Sequence, residues 1–145
     1  MFITKKIVIA SDHAGFELKK IIIDYLSQLN IEVLDKGTYT QDSVDYPDYA
    51  KKLARSIENN EAEYGILICG SANGISIAAN KFSHIRAAIC WNVEIAKLAR
   101  LHNDANVLSL PARFVETNDA LNIVEAFFYS TLEFGIHAIR VAKIC

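Results

Sequence analysis

YGILICGSANGISIAA, residues 64–79, decides the fold. Its first six residues are nearly all apolar and too few for a helix, so they read as a strand buried on both faces. Two glycines, Gly70 and Gly74, follow among small polar residues. From Gly74 onward the pattern is that of a short helix. Strand, glycine turn, helix is the unit from which parallel sheets are built, because parallel neighbours need a long crossover.

Working outward, the same alternation recurs along the chain. KIVIAS (6–11) is a second apolar run, and after it Phe16, Ile22, Ile23, Leu26 and Leu29 recur at helical spacing. IEVLD (31–35), RAAIC (86–90) and NVLSL (106–110) complete five strands. Asp45 or Pro47 opens a helix carrying Tyr49, Ala50, Leu53, Ala54 and Ile57, and VEIAKLARLH forms another. From about Thr117 the chain is largely helical. Uniformly apolar strands separated by helices predict an α/β fold with a five-stranded parallel sheet covered on both faces. A length of 145 residues without linker or repeat predicts a single domain, residues 1–145.

Charge and composition narrow the function. The net charge is −2, with acids and bases interspersed, which argues against nucleic acid or an anionic membrane as partner. The apolar runs are far shorter than the ~20 residues that span a bilayer, and MFITKKIVIASDHAG has no signal-peptide core. Three widely spaced cysteines (69, 90 and 145) without a CxxC pair suit a reducing, cytoplasmic setting. An anionic small molecule remains open, since one or two placed cations bind it.

In open parallel sheets, ligands bind beyond the carboxyl ends of the strands where strand order reverses. Strand 1 ends in Ser11-Asp12-His13-Ala14-Gly15 and strand 3 in Cys69-Gly70-Ser71-Ala72-Asn73-Gly74. If those strands are neighbours, the two segments share one crevice. Trp91-Asn92 and Pro111-Ala112-Arg113 stand at further strand ends. His102-Asn103-Asp104 precedes strand 5 and so belongs to the opposite end, unless a partner subunit supplies it. The glycine loop offers backbone N–H groups to a phosphate or oxyanion. It is neither a Walker loop nor a GxGxxG fingerprint, and Ile75 excludes a Cys-x5-Arg phosphatase loop. Cys69 has two readings. Free cysteine is a common small core residue, yet a thiol just before a helix start can ionise more readily and serve as base or nucleophile.

Asp12 reads either as a helix cap or as a functional carboxylate, and His13 has no capping role. His102 fits a helix end and His84 a turn or surface. Arg113 and Arg140 can each anchor a phosphate, whereas Arg86 and Arg100 are expected in surface pairs. Cys90 is expected in the core and Cys145 as a plain terminus. The tail FGIHAIRVAKIC fits a last helix closing its own core equally with an apolar surface for a second subunit.

Together IASDHAGFELK, DKGTY, DYPDYA, GILICGSANGISIAANKFSHIRAAIC and ARLHNDANVLSL resemble the type B ribose-5-phosphate isomerases, the group that includes the galactose-6-phosphate isomerase subunits. The match runs in order from about residue 6 to 113 and more weakly to Arg140. The resemblance implies a three-layer α/β/α Rossmann-like sandwich with a C-terminal helix. It implies a homodimer or dimer of dimers with shared active sites, and neither metal nor organic cofactor. It implies Cys69 as the base that moves a proton between C1 and C2 of an open-chain sugar phosphate. The N–H groups of Gly70, Ser71, Ala72, Asn73 and Gly74 match its anion hole, with the Ser71 hydroxyl assisting. Asp12 and His102 match the ring-opening groups. His13, Asn103 and Arg140 match substrate and phosphate contacts, with His137 as a helper. Ile136 stands where many relatives carry an arginine. Ala72 replaces a loop glycine; that is harmless at negative φ and strained at positive φ. The implied reaction interconverts ribose 5-phosphate and ribulose 5-phosphate. The alternatives are a six-carbon substrate (allose 6-phosphate or galactose 6-phosphate) or a non-catalytic sugar-phosphate binding module.

Overall fold

Each sheet strand contributes side chains to both faces, and that is why the strands lack polar alternation. The computed structural model describes residues 1–144; Cys145 lies outside the described residues. The strands are β1 (Lys6–Ser11), β2 (Glu32–Asp35), β3 (Tyr64–Cys69), β4 (Ala87–Ile89) and β5 (Val107–Pro111). The helices are α1 (Phe16–Gln28), α2 (Tyr46–Glu58), α3 (Asn73–Ala79), α4 (Val93–Asn103), α5 (Thr117–Tyr129) and α6 (Ile136–Val141). Ile7, Ile9, Ile66 and Ile68 pack with Ile22 and Leu26 of α1, Ala96 of α4 and Phe127 of α5. Their sequence neighbours Val8, Ala10, Leu67 and Cys69 pack with Leu53 of α2 and Ile75 of α3. The result is the expected three-layer α/β/α arrangement.

All pairings are parallel, in the order β2-β1-β3-β5-β4. β1 and β3 are neighbours, as the crevice requires, and chain direction across the sheet reverses between them. After β3 the chain goes first to the edge strand β4, and β5 then fills the gap. This brings the end of β5 against the end of β3. Pro111 is in register with Cys69, and the N–H groups of Ala112 and Arg113 donate to the carbonyls of Cys69 (2.9 Å) and Gly70 (3.1 Å).

Several expectations need correction. Arg100 is not in a surface pair: it is 3 % exposed, and its guanidinium donates to Asp104 Oδ1 (2.8 Å), the Ala105 carbonyl (2.7 Å) and the Ser130 carbonyl (3.2 Å). A buried guanidinium is tolerable because its donors are paired. Arg86 does pair near the surface, with Asp104 at 3.1 Å. His84 lies in a turn but is half-buried, its ring bonded to the Ala54 carbonyl at 2.9 Å. Asn92 caps α4 by accepting from the Ile95 N–H at 2.9 Å. The last helix, α6, buries no residue and leans on α4; Ile136 and Ile139 are 56 % and 59 % exposed. It does not close a core of its own chain. No helix among the described residues is long and apolar enough to cross a membrane.

Candidate active site

The β1 terminus is held from two sides. The Ser11 N–H donates to the Gly37 carbonyl (2.7 Å), Thr38 donates back to the Ser11 carbonyl (2.8 Å), and the Asp12 N–H donates to the Ile68 carbonyl (3.2 Å). Asp12 caps the short 3-10 turn His13–Gly15, its Oδ1 accepting from the N–H groups of Ala14 (2.9 Å) and Gly15 (3.3 Å). Among the described residues Oδ2 has no partner. The cap and a chemical role are thus compatible, each using one oxygen. Gly15 lacks a side chain by necessity: a Cβ there would sit 2.6 Å from Ile68 Cγ2. His13 Nδ1 accepts from the Val44 N–H (3.1 Å), so Nε2 is left to carry the ring proton.

Opposite stands the β3–α3 loop. Cys69 is 5 % exposed and lies on the α2/α3 face of the sheet. Gly70 is roofed by Arg113, whose Nη1 would lie 3.1 Å from an added Cβ. Ser71 Oγ accepts from the Asn73 N–H at 3.2 Å, which leaves its own proton to donate. Among the described residues the N–H groups of Ser71 and Ala72 reach no acceptor. Ala72, buried, sits at φ 66°, ψ −6°: the strained branch of the expectation, costing about 1–2 kcal/mol for a residue with a Cβ. A Cβ on Gly74 would meet the Tyr46 ring at 2.5 Å. The crevice of about 410 Å³ is lined by Asp12, Cys69, Gly70, Ser71, Gly74 and Arg113, together with Tyr46 and Phe114. The last two escaped the sequence reading, because an aromatic after a polar loop carries no local sign of facing a distant strand end.

His102, Asn103, His137 and Arg140 are not in this crevice. As the alternation of elements predicts, His102 lies in the last turn of α4, at the amino end of the sheet. These four residues line a second hollow of about 300 Å³, with Val141 and Ile144 of the tail. The rings of His102 and His137 stack at 3.8 Å with planes 9° apart. Glu133 Oε2 is 3.9 Å from Nε2 of each. His102, Glu133 and His137 are the described group whose donor atoms converge closely enough for a metal ion. Glu133 was not foreseen, since its loop carries no periodic signal. Cys90 is fully buried, and burial pushes its thiol up to about 12, so it stays a protonated core residue.

One crevice thus holds a thiol, a carboxylate, a hydroxyl and unpaired N–H groups, but a single cation. The other hollow holds the imidazoles and Arg140.

Known proteins match the chain over nearly its whole length. Residues 7–144 match the family model described as Ribose/Galactose Isomerase. Ribose-5-phosphate isomerase B of Escherichia coli is 46% identical over 140 residues, covering 97% of this chain and 94% of that protein. A solved ribose 5-phosphate isomerase from Thermotoga maritima is 52% identical, with a TM-score of 0.93 over 96% of each chain. Ribose-5-phosphate isomerase B from Mycoplasma genitalium, solved with bound ribulose-5-phosphate, is 42% identical, with a TM-score of 0.91 over 96% of this chain and 93% of that one.

Proposed function

The chain belongs to the ribose/galactose isomerase family, and we propose that it interconverts D-ribose 5-phosphate and D-ribulose 5-phosphate through an enediolate. The observation that carries this reading is that Cys69, Ser71, whose N–H reaches no acceptor among the described residues, and Asp12, whose Oδ2 has no partner there, all line one crevice.

The chemistry follows from the groups present. Ring opening needs a base at the anomeric hydroxyl and an acid at the ring oxygen; Asp12 Oδ2 is the first and His102 the second. Because His102 is remote from its own crevice, the working unit is a homodimer, or a dimer of dimers, in which His102 of the partner subunit completes the site. The exposed apolar side chains of α6 support that arrangement. In the open-chain aldose the Cys69 thiolate removes the C2 proton, and the charge passes to O1. The unpaired N–H groups of the loop, those of Ser71 and Ala72, receive it, preorganised so that no donor must turn at the moment of reaction; the Asn73 N–H is already committed to Ser71 Oγ. The Ser71 hydroxyl, donor and acceptor at once, passes the proton between O2 and O1. The Cys69 thiol then returns its proton to C1, giving the ketose. Arg113, Arg140, His137, Asn103 and the Nε2–H of His13 hold the phosphate and hydroxyls in register.

Exposed, uncharged Ile136 adds nothing to the phosphate grip, which leaves Arg140 as the tail cation that matches the family's phosphate contact. We place the enzyme in the non-oxidative pentose phosphate pathway of the cytoplasm, in keeping with its unpaired cysteines.

The test is a coupled assay of ribose 5-phosphate, allose 6-phosphate and galactose 6-phosphate side by side, reporting kcat/KM. Ribose 5-phosphate should lead by roughly tenfold or more, the scale on which a pocket discriminates one carbon unit. Cys69→Ala should lower its turnover by about 10²–10⁴-fold. A six-carbon substrate in the lead, or full turnover in Cys69→Ala, overturns the substrate or the base respectively.

A further inference from the structure

We propose that His102, Glu133 and His137 bind a divalent transition metal of the zinc class, and that its binding inhibits the enzyme. The three donor atoms lie within 4.8 Å of one another. Glu133 Oε2 stands 3.9 Å from Nε2 of either ring, too far for a hydrogen bond to either. The carboxylate is therefore centred between two nitrogens and bonded to neither. In a tetrahedral site with bonds of about 2.0–2.2 Å, ligand atoms stand roughly 3.3–3.5 Å apart. Each contact must close by roughly half an ångström to reach that spacing.

The stacked rings set the mechanics. An imidazole lone pair lies in the ring plane, so two parallel rings cannot both aim at one ion; they must fan apart. The side chains of His102, Glu133 and His137 are 37%, 55% and 22% exposed, and among the described residues no hydrogen bond holds either ring. Within one chain rotation therefore meets little resistance. Two imidazoles, one carboxylate and an open fourth position suit Zn²⁺, with Ni²⁺ and Cu²⁺ close behind. They do not suit Mg²⁺ or Ca²⁺, which require a fuller oxygen shell. Arg140 in the same hollow opposes a cation and Glu133 favours one, which makes the site reversible rather than structural.

The site stands on geometry alone; its inhibitory effect rests on the proposed function. An ion that takes Nε2 of His102 removes the ring-opening acid, and one that turns His137 weakens the phosphate grip. Neither involves Cys69, a thiol that zinc could also bind.

Zinc chloride is titrated by calorimetry at neutral pH into Cys69→Ala protein, which lacks the crevice thiol, and into Cys69→Ala/Glu133→Gln. Cobalt absorption serves as the coordination signature. One ion per chain is expected, with affinity tenfold or more weaker once Glu133 is replaced, and no response to magnesium. In parallel, Glu133→Gln should keep the basal isomerase rate but need at least tenfold more zinc for half-inhibition, and a chelator should restore the wild type. Equal zinc affinity with and without Glu133 overturns the site. Tight binding without inhibition of an active enzyme overturns its effect. If no isomerase activity is found, calorimetry still decides the site separately.

Discussion

Mixing two inactive variants is the sharpest test of how the two hollows cooperate. Cys69→Ala disables the crevice, and His102→Ala disables the hollow at the opposite end of the sheet. Each alone should lose about 10²–10⁴-fold in kcat. In the proposed two-fold dimer each crevice would take its imidazole from the other subunit. A mixed dimer then has one crevice lacking both groups and one lacking neither. Random reassortment of equal amounts makes half the dimers mixed, each with one working site, so activity should return to about a quarter of wild type. The assay is ribose 5-phosphate turnover after co-expression, or after joint unfolding and refolding, with each variant treated alone as control. The expected rise over either parent is at least ~20-fold, far beyond error. A mixture no faster than its parents, despite demonstrated subunit exchange, would place both groups in one chain's site and refute the shared arrangement.

Other outcomes can be stated briefly. Ala72→Gly removes about 1–2 kcal/mol of left-handed strain, loses about 0.8 from a buried methyl, and adds about 0.4–1 of unfolded-chain entropy. Chemical denaturation should therefore show a change within about 1 kcal/mol of zero, and a loss above about 2 would contradict the strain. Gly15→Ala forces a methyl into Ile68 and should destabilise by about 1–3 kcal/mol in the same measurement. Alkylation near pH 8 should modify Cys69 and spare Cys90, whose thiol burial holds at about 12, and sugar phosphate should protect Cys69; peptide mass spectrometry reads both. Burial and the 3.0 Å bond to Glu125 raise Tyr25 from 10.0 to about 12. Its raised folded value means a stabilising contribution present below pH 10 and lost as pH rises towards about 12. Tyr25→Phe should flatten that part of the alkaline unfolding profile.

Most of the architecture was legible because the strands had to be apolar on both faces, leaving little ambiguity between sheet and surface. The strands 6–11 and 64–69 coincide with those observed, while β4 spans only Ala87–Ile89, although Arg86 and Cys90 on either side still hydrogen-bond to β5 and the residue before it. The crevice was legible in Asp12 and Cys69, which sit where two adjacent strands end. Arg100 was misread because, beside its near partners Asp104 and Ala105, its guanidinium is closed off by the Ser130 carbonyl thirty residues away, which no local pattern announces. Tyr46, Phe114 and Glu133 depend likewise on tertiary approach. Ala72 was recognised as a conditional strain, but only backbone geometry could choose the branch.

The Arg100–Asp104–Arg86 cluster has a meaning beyond the stability of one turn. His102 has no hydrogen bond among the described residues to aim it, so its position is inherited from the backbone of the α4–β5 turn. That turn pivots on Asp104 at φ 46° and is clamped by two guanidiniums, while Glu133 is tethered through its N–H to the Leu101 carbonyl at 2.9 Å. The clamp is therefore an alignment device. Loosening it would leave both hollows chemically intact while letting the imidazole drift from the position that the proposed ring opening requires. Tolerances of catalysis can in this way be set by a residue that touches neither substrate nor catalytic group.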